Sequence, residues 1–184
     1  MSAAIPPGIG RPADWLALTK PGITAMSVLM ALGALVVAPT TQGPWRSLLA
    51  LLGIALLVGA ANAFNMILER VTDGLMERTR TRPLPSGRMR AMPGLVMAVA
   101  FACAALVMLL AFGNALTFGL GLLALILYVG VYTPLKYRTP AALLVGAIPG
   151  AMPVLLGSTA ATGRIEPFGF GLFAVLAAWQ VPHF

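Results

Sequence analysis

Residues 65–85 read NMILERVTDGLMERTRTRPLP and bring three acidic residues and four arginines together in a chain that is 59% hydrophobic. Only 9% of the 184 residues are charged, whereas an average soluble domain has about 25%. This composition indicates an integral membrane protein. Charged side chains are costly inside a bilayer, so we expect this stretch to lie at a membrane surface.

Apolar runs on both sides of the charged stretch are long enough to cross a membrane as helices, which needs about 20 mostly apolar residues. We predict an all-α fold, a polytopic transmembrane helix bundle that forms one membrane domain over residues 1–184. Residues 1–20 are polar and rich in proline and glycine, and we expect them to form a cytoplasmic N-terminal tail. The five complete runs and part of a sixth are 22–41, 47–66, 92–112, 115–133, 141–160 and 167–184.

The lysines and arginines are distributed unevenly among the predicted loops. Two precede the first run, six lie between the second and third, and two lie between the fourth and fifth, so ten of the twelve share one side. Loops rich in lysine and arginine face the cytoplasm. The pattern predicts that the N-terminus and the charged loops are cytoplasmic. It also accounts for the net charge of +7 without a nucleic-acid partner.

Asn65, Glu69 and Asp73 are spaced by four residues, so a helix that continues out of the second run places them on one face. One amide and two carboxylates supply hard oxygen ligands. Such ligands suit Mg²⁺, which commonly binds through one or two carboxylates together with substrate phosphates. The spacing alone leaves a second interpretation open, a solvated loop helix whose acids pair with Arg70, Arg78 and Arg82.

Arginines follow the acidic face directly. Arg78, Arg80 and Arg82 come within one to three further turns, and Pro83 is then expected to end the helix. Arginine side chains bind phosphate through paired hydrogen bonds. Acids that can hold a divalent ion beside such arginines are typical of a diphosphate site.

A second basic cluster, YTPLKYR at 132–138, is predicted on the same side of the membrane. Tyr132 and Lys136 are four residues apart and share a face if the segment is helical, and Arg138 follows. Ordinary anchoring of a helix end at the cytoplasmic surface would also explain Lys136 and Arg138. Together, the two clusters predict a membrane enzyme that handles a lipid diphosphate through Mg²⁺.

The segment 65–89, NMILERVTDGLMERTRTRPLPSGRM, resembles the first aspartate-rich motif of the UbiA-type intramembrane prenyltransferases, and within them the protohaem IX farnesyltransferase (haem O synthase) branch. Three further stretches are similar to that branch: LTKPGIT at 18–24, the long segment 132–157, and WQVPHF at 179–184. The residues that match the first motif are Asn65, Glu69, Asp73, Met76, Arg78, Thr79, Arg82, Pro83 and Leu84.

The resemblance implies farnesyl transfer from farnesyl diphosphate to a vinyl group of haem b, which gives haem O. Haem b is then a substrate, Mg²⁺ is the cofactor, membrane lipid surrounds the protein, and haem A synthase or terminal oxidase assembly factors are implied partners. The resemblance assigns Mg²⁺–diphosphate contacts and the catalytic role to Asn65, Glu69 and Asp73. It assigns diphosphate binding to Arg78, Arg82, Tyr132, Lys136 and Arg138, and a contact with haem or diphosphate to His183, for which a merely structural hydrogen bond remains the alternative.

Two features depart from the resembled branch. Tyr137 stands where that branch commonly has an arginine, which weakens one expected phosphate contact. The family fold has nine transmembrane helices and a second acidic cluster beyond WQVPHF, so we expect a chain truncated at its C-terminus and inactive or severely impaired by itself. The alternatives are another UbiA-type prenyltransferase with an aromatic acceptor and a non-catalytic membrane scaffold or fragment. A transporter is disfavoured because its polar residues would lie near the membrane midplane.

Overall fold

The computed structural model describes residues 8–39 and 42–183, and within these ranges it contains nine α-helices and no β-strand. Every predicted apolar run corresponds to a helix, which confirms the all-α prediction. Wider π-helical turns extend two of the helices, at Leu109–Gly113 and Ile126–Tyr132. The helices are α1 (Pro12–Leu18), α2 (Pro21–Val37), α3 (Pro44–Leu68), α4 (Arg70–Gly74), α5 (Ala91–Met108), α6 (Ala115–Leu125), α7 (Thr133–Leu135), α8 (Ala142–Thr162) and α9 (Pro167–Gln180).

Proline sets the first residue of four helices, at Pro12, Pro21, Pro44 and Pro167. Its fixed φ is suited to the start of a helix, and the amide proton it lacks would have no partner in the first turn. These prolines therefore explain where the apolar runs become helical. They also place α1, packed through its fully buried Leu18, within the segment expected as an N-terminal tail.

Within the described residues, four helical segments are long and apolar enough to cross a membrane, or five if α1 and α2, which meet at a 51° bend, form one broken span. They differ in how much of their surface other helices cover. In the most apolar window of each, 72% of α8 and 56% of α3 are buried, against 22% of Ala91–Gly113 and 11% of Ala115–Leu135. Helices α3 and α8 therefore form the centre, and the two poorly covered segments present their apolar side chains to lipid.

Helix α8 lies against α2 at a close backbone contact. A Cβ atom added at Gly157 would lie 2.1 Å from the carbonyl oxygen of Ala31, so only glycine permits this approach. The same helix contains Pro149 and Pro153 in its interior. Each proline lacks the amide proton that would bond to the carbonyl four residues earlier, so two carbonyl groups of α8 lose their usual helical partner.

The loop region between α3 and α5 differs from the sequence-based expectation in one respect. The helix was expected to continue to Pro83, and this is wrong, because α4 ends at Gly74 and turns follow. Glycine is a poor helix former, and the Thr79 hydroxyl donates to the Asp73 carbonyl (2.7 Å), which takes up that acceptor in a turn. The loop folds back on itself and carries Arg82 towards the acidic face.

Candidate functional site

The acidic face forms as the spacing predicts. The Glu69 amide donates to the Asn65 carbonyl (2.9 Å) and the Asp73 amide donates to the Glu69 carbonyl (2.8 Å), so helical register is kept across the junction of α3 and α4. Asn65, Glu69 and Asp73 are only 2%, 4% and 5% exposed. The solvated loop helix considered above is therefore wrong, because these side chains are enclosed by protein.

Asn65 connects three parts of the bundle. Its amide nitrogen donates to Glu69 Oε1 (2.5 Å) and to the Thr133 hydroxyl (3.3 Å), and its carbonyl oxygen accepts a hydrogen bond from Lys20 Nζ. Thr133 in turn donates to the Tyr128 carbonyl (2.8 Å). The side chain of Asn65 thus joins α3 to the corner before α2 and to α7.

Lys20 is a site residue to which the sequence analysis gave no role. It precedes Pro21 in the corner between α1 and α2, with φ of 48° in the left-handed region. Asn62 holds this corner from α3, because its amide donates to the Thr19 carbonyl and to the Thr24 hydroxyl (3.2 Å each). Strained backbone persists where the surroundings fix it, and here it aims the lysine at Asn65.

Glu69 pairs with Lys136, so the two charged clusters of the sequence meet in the fold. The Glu69 side chain is 5% exposed and that of Lys136 is 28% exposed. Burial by itself lowers the pKa of Lys136, but the hydrogen bond and the charge of Glu69 outweigh burial and raise this pKa above its usual value. Lys136 therefore stays protonated at neutral pH.

Asp73 pairs with Arg82 across the turn that follows α4. The distance from Arg82 Nη1 to Asp73 Oδ2 is 2.6 Å, and the arginine side chain keeps 28% of its surface exposed. A guanidinium with several donors can hold a carboxylate and still offer hydrogen bonds to a second anion. This pair lies one helical turn beyond Glu69 on the same face.

The other predicted site residues have different surroundings. Arg78 and Arg138 are exposed and form no ion pair in residues 8–39 and 42–183. Arg80 pairs with Glu77 at the surface, with both side chains more than half exposed. The side chain of His183 lies outside the described part of the chain, so its expected contact stays a prediction.

The donor set fits a magnesium ion that arrives with phosphate. Among the residues described, no group of three or more histidine, cysteine, aspartate or glutamate side chains could hold a metal. Two carboxylates and one amide are present, and three cations (Lys20, Arg82 and Lys136) surround them. The cluster therefore carries one net positive charge, which disfavours a bare divalent cation and favours a magnesium diphosphate complex, whose net charge is negative.

An apolar cavity of about 550 Å³ lies next to this cluster. Its volume falls in the range of about 300–1,000 Å³ that is usual for small-molecule sites. Tyr132, four residues before Lys136, lines it and stacks on Tyr128 with the ring centres 5.5 Å apart. A smaller cavity of about 90 Å³ shares Tyr128 and Gly150 with it and reaches further into the bundle.

Gly146 fixes the position of the Tyr132 ring beside the larger cavity. A Cβ atom at Gly146 would lie 2.6 Å from Tyr132 Cε2, so α8 gives the ring room only because this residue has no side chain. Tyr132 is thus found at the boundary between the polar cluster and the apolar cavity.

Known proteins resemble the chain in sequence and in structure. A model of the UbiA prenyltransferase family matches residues 26–184. Over 171 residues the chain is 47% identical to a protoheme IX farnesyltransferase from Anaeromyxobacter sp. (strain Fw109-5) and, equally, to one from Myxococcus xanthus (strain DK1622). Each alignment covers 93% of this chain and 58% of the relative, so the chain spans somewhat more than half the length of these curated proteins.

A solved structure of a UbiA homolog from Archaeoglobus fulgidus bound to DMAPP and Mg²⁺ has the same fold. The TM-score is 0.70 at 19% sequence identity, and the match covers 92% of this chain and 62% of the other. The same homolog bound to GPP and Mg²⁺ also gives a TM-score of 0.70, at 20% identity.

Proposed function

The chain belongs to the UbiA prenyltransferase family, and from this premise we propose that the protein transfers a farnesyl group from farnesyl diphosphate to a vinyl group of haem b. The product is haem O. Support for this acceptor comes from the relatives at 47% identity, which are named protoheme IX farnesyltransferases. Support for a prenyl diphosphate and Mg²⁺ comes from the structural neighbour that binds both.

The observation that carries the proposal is a buried, net positive cluster beside an apolar cavity. A prenyl diphosphate has a charged head and an apolar tail, and the two environments match these two parts. The Tyr132 ring lies between them, where the bond that joins head and tail would be placed. A scaffold protein would have no need to bury Glu69 and Asp73 together with three cations.

Asn65, Glu69 and Asp73 would hold Mg²⁺ together with the diphosphate. When bound, the metal withdraws electron density from the diphosphate oxygens and so stabilises the leaving group. Lys20, Lys136 and Arg82 balance the negative charge that develops there, and exposed Arg78 and Arg138 can close over it from the loops. These residues are preorganised, because every buried member of the cluster already has a partner.

Cleavage of the carbon–oxygen bond leaves both electrons on the diphosphate and gives an allylic cation. The haem vinyl group attacks this cation to form the new carbon–carbon bond. Water adds to the resulting haem-side cation and releases a proton, which completes the hydroxyethylfarnesyl group. The apolar walls beside Tyr128 and Tyr132 would keep water away from the first cation until the vinyl group reacts.

The same proposal places the protein in a bacterial-type inner membrane. The loops around the cluster carry most of the lysines and arginines and would face the cytoplasm. Farnesyl diphosphate would then reach the cluster from the cytoplasmic side with its tail in the bilayer.

The test is a transfer assay on the intact protein expressed from its own gene and reconstituted in lipid. Farnesyl diphosphate and Mg²⁺ are supplied with haem b or, separately, with an aromatic acid, and products are identified by mass. We expect haem O from haem b alone and none from the variant with alanine at Asn65, Glu69 and Asp73. Alanine at exposed Glu77 is the matched control and should retain activity. Product from the aromatic acid alone would refute the haem acceptor, and full activity of the triple variant would refute the assigned site.

A further inference from the structure

Two side chains connect α4 to the loop after α7. The Thr72 hydroxyl and the Tyr137 hydroxyl lie 2.9 Å apart, although 65 residues separate them in sequence. The Thr72 hydroxyl also donates to the Glu69 carbonyl (3.0 Å). A threonine hydroxyl has one proton, so the Tyr137 hydroxyl must donate to the Thr72 hydroxyl. The hydrogen bonds therefore run from Tyr137 through Thr72 to the backbone of Glu69.

The ring of Tyr137 makes a second contact. Lys136 Nζ lies 5.1 Å from the ring centre, within the distance at which an aromatic face attracts an ammonium group. The same ammonium pairs with the Glu69 carboxylate. Tyr137 thus contacts Lys136 directly through its ring and is linked to the backbone of Glu69 through the Thr72 hydroxyl.

An aromatic ring differs from a carboxylate as a support for Lys136. A second carboxylate would hold the ammonium more strongly but would cancel the positive charge that an entering anion needs. The ring attracts the ammonium while adding no net charge. Lys136 can therefore be held in place and still attract a diphosphate.

We propose that Tyr137 is a positioning residue that sets Lys136 and Glu69 at the correct separation for a diphosphate bound between α4 and the loop after α7. This inference rests on the proposed function for its substrate, but the contact between Tyr137 and Thr72 can be measured without any substrate. The hydroxyl of Tyr137 fixes the position of α4 relative to the loop after α7. Its ring fixes the direction of the Lys136 side chain.

Four variants of the intact protein separate the two contacts. Tyr137→Phe keeps the ring and removes the hydroxyl, Tyr137→Leu removes both, and Thr72→Val removes the acceptor with little change of shape. The fourth combines Tyr137→Phe with Thr72→Val. Thr139→Val is the matched control, because the bond of the Thr139 hydroxyl in the described part of the chain is local, to the amide of Ala141 in its own loop.

Turnover is measured against farnesyl diphosphate concentration. Tyr137→Phe and Thr72→Val should each raise KM about threefold with kcat within twofold, as expected for one hydrogen bond. The double variant should match Thr72→Val, because Thr72→Val already removes the bond that Tyr137→Phe removes. Tyr137→Leu should raise KM about tenfold. Additive effects in the double variant, or a Tyr137→Leu protein with unchanged KM, would overturn the proposal.

Hydrogen exchange at the Asp73 amide gives the readout that is independent of activity, because this amide bonds to the Glu69 carbonyl. Tyr137→Phe and Thr72→Val should speed its exchange by a similar factor of about three to ten, while Thr139→Val should leave it unchanged. Unchanged exchange in the first two variants would sink the inference even if the enzyme is active. Faster exchange in these two variants, together with a wild-type protein that transfers no farnesyl group, would instead count against the proposed function alone.

Discussion

Replacing Lys136 by methionine should destabilise the protein by about 1–3 kcal/mol. Removing one partner of a fully buried ion pair costs about 3–5 kcal/mol, because the other charge is left unpaired, whereas an exposed pair contributes about 0–1 kcal/mol. Glu69 is almost fully enclosed and Lys136 is about one quarter exposed, so the expected cost lies between these limits. Methionine keeps the length of the side chain and isolates the loss of charge.

The free energy of unfolding can be compared by denaturant titration in detergent micelles, with Arg80→Met as the matched control. Arg80 pairs with Glu77 in the same loop region, but both partners are largely exposed, so this variant should change stability by less than about 0.5 kcal/mol. Adding Glu69→Gln to Lys136→Met should recover part of the loss, since no buried charge then lacks a partner.

The pH dependence follows from the direction of the Lys136 shift. Its pKa is raised in the folded state, so its contribution is fully present below its unfolded pKa of about 10.4 and is lost as the pH rises through the folded value. The stability difference between wild type and Lys136→Met should therefore shrink as the pH rises above about 10.4. Equal stability of Lys136→Met and Arg80→Met, or a double variant no better than Lys136→Met, would refute the reasoning.

Three other predictions concern the site and its walls. Asp73→Asn should lower kcat, measured by haem O formation, by about 100-fold or more because it removes a carboxylate assigned to Mg²⁺, and it should also lower the thermal midpoint because Arg82 loses its charged partner. Gly146→Ala should destabilise by about 1–3 kcal/mol by displacing the Tyr132 ring, whereas Gly119→Ala, which meets no atom within 4 Å, should not destabilise. Mg²⁺ with inorganic pyrophosphate should raise the thermal midpoint and Mg²⁺ alone should not, because the cluster is net positive; an equal rise with Mg²⁺ alone would contradict this charge balance.

The helices could be predicted from the sequence because each apolar run is long and begins or ends at proline, glycine or charge. The alignment of Asn65, Glu69 and Asp73 could also be predicted, since it depends only on helical spacing. Pairing of Glu69 with Lys136 could not, because it depends on how two distant loops pack. Nor did any local pattern indicate that Lys20 contacts Asn65, although its position before Pro21 marks it as a helix-start residue.

The loop after α4 shows why local pattern reasoning failed in one place. The run of arginines and the absence of proline before Pro83 favoured a continuous helix. The observed turns are instead stabilised by contacts between residues several positions apart, such as Thr79 with the Asp73 backbone and Arg82 with the Asp73 carboxylate. These contacts exist only when the loop has folded back, so they leave no periodic signal in the sequence.

The two prolines inside α8 affect how the chain enters the membrane. Carbonyl groups that lack their usual helical partner are poorly tolerated where only lipid surrounds them. Helix α8 is also the least apolar of the four segments that could each cross a membrane, with a mean hydropathy of 1.6. Insertion of this segment by itself is therefore less favourable than insertion of the other three. Helices α2 and α6 are synthesised earlier and pack against it in the final fold. The order of the helices along the chain thus lets the early spans act as an intramolecular chaperone for the late one.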